Sequence, residues 1–148
     1  MATALMLALV PCLLAITVLI HYEVLRLTGA YLPRLKVRPR QRILIVIAAC
    51  LIAHLLEVVL YAAVLALLVL FPAFGSIGGE FNGAVADFFY FSLTCFTTLG
   101  IGDIHPLGPL RLIVGVESLN GLLLITWSAS FCYLNMQLDW HPDAGGQA

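Results

Sequence analysis

Three apolar runs, each long enough to cross a bilayer, constrain this chain more than any other feature. They extend from about Thr3 to Leu27, from about Arg42 to Phe71 and from about Leu110 to Met136. A span takes roughly 20 residues of helix. Hydrophobic residues make up 62% of the 148 and charged residues 10%, and a soluble globule of this size cannot hide so much apolar surface. The reading is an all-α integral membrane protein. Disorder, coiled coil and a secreted disulfide scaffold are excluded. The formal net charge of -1 excludes a dedicated nucleic-acid binder. Pro11 lies inside the first run and is a candidate kink. That run has no basic start and no evident small-residue cleavage site, so it is read as a retained helix and not a signal peptide.

A fourth apolar stretch, about Val85 to Phe96, is too short to span. At ~1.5 Å per residue it reaches only about 18 Å. It reads as a re-entrant helix between the second and third spans. Arg26, Arg34, Lys36, Arg38, Arg40 and Arg42 are six of the seven basic residues, and all lie at the join between the first two spans. The positive-inside rule makes this join cytoplasmic, the N-terminus external and the C-terminus cytoplasmic. Basic residues recur at every second position from Arg34 to Arg42, broken by Pro33 and Pro39. That period does not suit a voltage-sensing helix and fits contact with anionic lipid headgroups. Cys12, Cys50, Cys95 and Cys132 are far apart in sequence, without metal or disulfide spacing, and are read as buried spectator thiols.

The chemistry concentrates in Thr97-Thr98-Leu99-Gly100-Ile101-Gly102-Asp103-Ile104, directly after the short helix. Gly100 and Gly102 alternate with bulkier residues. Glycine tolerates positive φ, so such a strand can alternate its handedness and turn successive carbonyls to one side. Four chains around an axis would then stack carbonyl rings that replace an ion's hydration shell. Irregular backbone at membrane depth is tolerated where it lines such a path.

Here the sequence resembles the pore module of the tetrameric potassium-channel family. The family signature is T-x-x-T-x-G-Y-G-D, then an apolar residue, any residue and Pro. Thr94 through Asp103 followed by Ile104-His105-Pro106 corresponds to it. The likeness runs from about Phe88 to Asn135. It takes in an aromatic-rich pore helix (Phe88, Phe89, Tyr90, Phe91) and Glu117-x-x-x-Gly121, the pattern of small bacterial potassium channels.

The resemblance implies roles for particular residues. Carbonyls of Thr98, Leu99, Gly100 and Ile101 would coordinate potassium, with the Thr98 hydroxyl forming the innermost site and Gly102 completing the filter. Thr97, Phe91 and Thr94 would support it, and Asp103 would pin the outer mouth to the pore helix. Gly121 would be the gating hinge, and Ile125 and Ala129 would line the cavity. Two departures stand out. The family's filter Tyr is Ile101 and its Val is Leu99, which leaves a non-selective monovalent cation channel as an alternative. Thr94 is not acidic, so the carboxylate pair that some relatives place behind the filter is missing.

The implied organisation is an extra N-terminal helix (1–28), a cytoplasmic basic loop (29–41), a pore domain (42–138) and a cytoplasmic tail (139–148). The loop from Gly75 to Gly83 would be the outer turret. A homotetramer in the plasma membrane, a bacterial inner membrane, is expected, with no catalysis and no organic cofactor. With only a short polar tail after Met136, regulation would fall to lipid, pH, tension, filter inactivation or a separate subunit. A non-conducting assembly subunit and an intramembrane aspartyl protease, whose GxGD string Gly100–Asp103 matches, are the remaining alternatives. His54 and Glu57, three apart on one helical face, and Glu117 are intramembrane ionisable residues. They are read as packing contacts or as a pH-sensitive element. Asn120 is expected to satisfy backbone or inter-helix hydrogen bonds, and Glu23 to pair with Arg26.

Overall fold

The structure, a computed structural model, describes residues 2–140. Its elements in chain order are helix α1 (Ala2–Tyr31), helix α2 (Pro39–Val69), strand β1 (Ser76–Gly79), helix α3 (Val85–Phe96), strand β2 (Ile104–Leu107) and helix α4 (Leu110–Trp140). Three helices are long and apolar enough to cross a membrane, over Ala4–Arg34, Pro39–Val69 and Leu110–Leu138. The short helix α3 has the expected bounds. The expected tail begins inside α4, and residues 141–148 lie outside the described residues.

Helix ends follow local chemistry. Pro11 lies within α1 and does not interrupt it. The second span starts three residues earlier than expected, because Pro39 is well suited to a first helical position: its φ is preset and its missing N–H would have had no partner. The Arg38 N–H is held by Gln41 Oε1 at 3.0 Å. Arg40 and Arg42 therefore belong to the first turn of α2, not to a loop and its boundary. At the start of α3, Asp87 Oδ2 accepts the Asn82 and Ala84 N–H groups at 2.9 and 3.3 Å, and its charge suits the helix N-terminus.

Helices α2, α3 and α4 enclose one core that includes Tyr61, Leu65, Phe91, Phe96, Leu110, Ile113 and Leu124. Met6 and Leu13 of α1 belong to the same core. Leu25 and Leu32 form a second cluster with Val46 and Cys50 of α2. The extra first helix is thus packed onto the pore module. Cys50 and Cys132, 82 residues apart, are free thiols with their sulfurs 3.9 Å apart. Many large side chains, such as Leu44, Leu51, Leu67, Leu119 and Leu123, face outward, as a lipid solvent permits.

The turret is not all loop. Strands β1 and β2 form an antiparallel ribbon with Ser76 opposite Leu107 and Gly79 opposite Ile104. Glycine permits it: a Cβ on Gly75 or Gly79 would overlap the carbonyl oxygen of Leu107 or Asp103 respectively. The ribbon clamps the loop before α3 onto the segment that follows Asp103, and the Glu80 N–H adds a bond to the Asp103 carbonyl at 2.9 Å.

Candidate ion-conduction site

The segment after α3 has an unusual backbone. Thr98, Gly100 and Gly102 have φ of 60°, 52° and 91°, whereas Leu99 and Ile101 between them are not in the left-handed region. This is the alternating handedness that carbonyls facing one side require. Thr98 alone among the described non-glycine residues has positive φ, a conformation costing about 1–3 kcal/mol that persists only where the surroundings impose it. The end of α3 imposes it here. The Thr98 N–H bonds the Cys95 carbonyl at 2.9 Å and the Gly100 N–H bonds the Thr94 carbonyl at 3.0 Å. The negative end of the α3 dipole faces this turn, which suits a cation.

Thr98, Leu99, Gly100, Ile101 and Gly102 lie together on one exposed stretch. Leu99 and Ile101 are 65% and 58% exposed in the single chain, and nothing lies within 4 Å of a Cβ built on Gly100 or Gly102. Behind them, Phe91 and Thr94 are buried. The Thr94 hydroxyl donates to the Phe91 carbonyl at 2.9 Å and the Thr97 hydroxyl to the Leu93 carbonyl at 2.7 Å. Counted back from Thr98, the first threonine of the signature falls on Cys95, so the motif match begins one residue later than read above. Thr94 contributes through its carbonyl.

At the other end, Asp103 Oδ2 accepts a hydrogen bond from Tyr90 at 2.9 Å, and Oδ1 accepts the Ile104 N–H at 2.9 Å. The bond to the Asp103 carboxylate, aided by its charge, raises the Tyr90 phenol above its ordinary value. Ile101 cannot donate a hydrogen bond, and here a tyrosine on the pore helix makes one to the outer end of the segment. Asp87 bonds loop N–H groups at the start of α3.

Gly121 lies against the end of α3, where a Cβ would overlap the Phe96 carbonyl oxygen. A close backbone approach therefore requires a glycine there, independently of any bending. On the same helix Ala129 is exposed, while Ile125 is half-buried and packs against the core. The fully buried Glu117 reaches the pore helix: its Oε1 is 2.5 Å from the Ser92 hydroxyl, which also lies 2.9 Å from the Val58 carbonyl.

Two buried polar groups tie α1 to the pore module. Asn120 Nδ2 donates to Thr17 Oγ1 at 2.8 Å and to the Tyr61 hydroxyl at 3.2 Å, in line with the inter-helix bonding expected of Asn120. One turn along α1, His21 Nδ1 is 3.0 Å from Glu57 Oε1, and His54 Nδ1 is 3.1 Å from Glu57 Oε2. Ser128 Oγ lies 3.3 and 3.0 Å from Nε2 of His21 and His54. Among the described residues, His21, His54 and Glu57 bring their ligand atoms within 4.8 Å of one another. Sequence reasoning found His54 and Glu57 but missed His21, Thr17 and Ser128. The signal was present: an ionisable residue within an apolar span, four residues after a threonine on the same face. Glu23 and Arg26 pair at the surface as expected, at 2.6 Å.

A family model described as "Ion channel" matches residues 43–134, which covers most of α2, the ribbon, α3, the alternating-φ segment and most of α4 and leaves out α1. Neither the curated proteins nor the solved structures compared with this chain give a match. With most of its length matched, and with the pore helix, the alternating-φ segment and the two flanking spans in that family's order, the chain belongs to the ion-channel family built on the two-transmembrane pore module, the one its filter motif resembles.

Proposed function

We propose that four copies of this chain assemble around an axis into a potassium-selective channel that conducts passively across the plasma membrane. One observation carries the reading: positive φ at Thr98, Gly100 and Gly102, alternating with Leu99 and Ile101, directly after an apolar helix too short to span. One chain supplies one such segment, so a ring of carbonyls needs several, and closed cyclic symmetry is the common solution. The exposed Leu99 and Ile101 side chains would be covered by neighbouring copies. Thr98, Leu99, Gly100 and Ile101 would coordinate the ion, with Asp103 at the external mouth. The basic residues Arg34 to Arg42 would face the cytoplasm and anionic headgroups. Gly121 would act as both packing site and hinge, and Ala129 would face the cavity.

Ile101 supports a second reading, a channel conducting sodium and potassium alike, because an isoleucine holds the segment by packing alone. The test is flux from liposomes reconstituted with the purified protein under matched potassium and sodium gradients, with and without barium. Barium-blocked flux of potassium alone supports the first reading, and equal flux of both ions the second. Flux in neither gradient across a range of pH and lipid composition counts against conduction and favours an assembly subunit.

A further inference from the structure

The His21–Glu57–His54–Ser128 group has no part in the conduction path described above, and with Glu57 ionised its hydrogens do not fill its contacts. Four contacts join the four side chains in a ring, two from imidazole Nδ1 to the Glu57 oxygens and two from imidazole Nε2 to Ser128 Oγ. Each contact takes one hydrogen. Two neutral imidazoles and one hydroxyl supply three. With Glu57 ionised, one contact is left without a hydrogen and the carboxylate charge is uncompensated. Glu57 and His21 are fully buried, where such a charge is costly.

We propose that this ring is a binding site for a divalent transition metal of the zinc type, liganded by Nδ1 of His21, Nδ1 of His54 and a Glu57 carboxylate oxygen. With the metal in place, both ring hydrogens sit on Nε2 and both are donated to Ser128 Oγ, whose two lone pairs accept them. Every contact of the ring then carries its hydrogen or its metal, the carboxylate has its counter-charge, and the Ser128 hydroxyl hydrogen is free to turn out of the ring. The donor set, two imidazoles and a carboxylate, is one that zinc uses with a fourth position left for water. The separations fit as well. Ligands about 2.0 Å from a tetrahedral ion lie roughly 3.3 Å apart; His21 Nδ1 stands 3.0 Å from Glu57 Oε1 and His54 Nδ1 stands 3.1 Å from Glu57 Oε2, with the ligand atoms of the three residues all within 4.8 Å of one another. Ser128 is the outer partner that orients both rings, a role usual around metal-bound histidines. The rings are stacked with centroids 5.1 Å apart, and His21 also meets the Trp127 ring at 5.3 Å, so their planes are held. The His54 side chain is 17% exposed, which leaves an edge for entry. The site joins α1 to α2 and is oriented by α4. It does not depend on which ion the pore passes.

The test uses full-length protein in detergent, with any polyhistidine tag removed and the metal stripped by chelator, titrated with zinc chloride and separately with cobalt chloride. One zinc binds per chain, thermal stability rises with zinc concentration, and cobalt gives the intense visible bands of a tetrahedral nitrogen and oxygen set. Glu57→Gln and His21→Gln abolish uptake, and Ser128→Ala weakens it by roughly 10–100-fold. The double variant His105→Gln/His141→Gln, which removes the chain's other histidines, binds as the wild type. If His21→Gln does not fold, His54→Gln on the more exposed ring replaces it. The proposal is overturned if the wild type takes up no zinc above a detergent blank, if uptake survives loss of Glu57, or if cobalt shows only the weak spectrum of an octahedral aqua ion. The ring would then be closed by a proton.

Discussion

Tyr90 donates its phenolic hydrogen to Asp103 across the whole length of the alternating-φ segment, from the middle of α3 to the residue that ends the run, at 2.9 Å. The start of the segment is tied to the same helix, through the Thr94 and Cys95 carbonyls. One short helix therefore holds both ends of the strand whose carbonyls would meet the ion.

Tyr90→Phe leaves the packing and removes only that bond. On the proposed function, selectivity for potassium over sodium in liposome flux falls, while the oligomer size on native gels stays that of the wild type. The bond also has a pH window. Because the phenol is raised by its partner, its stabilising effect is complete below the ordinary tyrosine value of about 10 and is lost as pH rises through the higher folded value. Wild-type flux measured on the alkaline side should change there, and Tyr90→Phe should show no such dependence.

Gly121→Ala places a methyl group on the Phe96 carbonyl oxygen. Overpacking of this kind costs about 1–3 kcal/mol, and it pushes on the residue next to Thr97. Thermal unfolding in detergent should be lowered and flux reduced. Gly115→Ala, with nothing within 4 Å on the same helix, should change neither. If both substitutions prove silent, the close approach is not what the glycine serves.

Asn120 binds α1 to the pore through Thr17. A double-mutant cycle of Thr17→Ala and Asn120→Ala should show a coupling of about 0.6 kcal/mol, up to about 1.7, the range found for hydrogen bonds between membrane helices. Strictly additive effects on denaturation would mean that the two residues stabilise independently.

Gly79→Ala should open the outer ribbon, because a methyl group there meets the Asp103 carbonyl at a φ of +92°. Gly83→Ala is the comparison: its φ is +79° with open space around it, so it bears backbone strain alone. Faster amide exchange at Ser76–Gly79 in the first variant and not the second would check this.

Spans and pore helix were legible because each depends on a local property, an apolar run of a given length. The short helix Val85–Phe96 and the alternation Gly100-Ile101-Gly102 carry their own signals. The ribbon did not, since four residues such as Ser76–Gly79 have no strand pattern, and their pairing with Ile104–Leu107 depends on close backbone approaches. The place of α1 was also hidden. His54 and Glu57 announce themselves by spacing on one helix, but the partnership of His21 with Glu57 spans 36 positions and that of Ser128 with His21 spans 107. Sequence could nominate each residue as unusual in an apolar span without saying which would meet.

Those long separations bear on how the chain is made. Helix α1, carrying Thr17 and His21, enters the membrane before α4. Asn120 and Ser128 arrive more than a hundred residues later, on the last helix. Until then the polar stripe of α1 has only α2 to shield it from lipid. Biogenesis would thus hold a partly satisfied helix pair waiting for α4, and a chain stalled before residue 120 would present to quality control the polar edge that the finished molecule conceals.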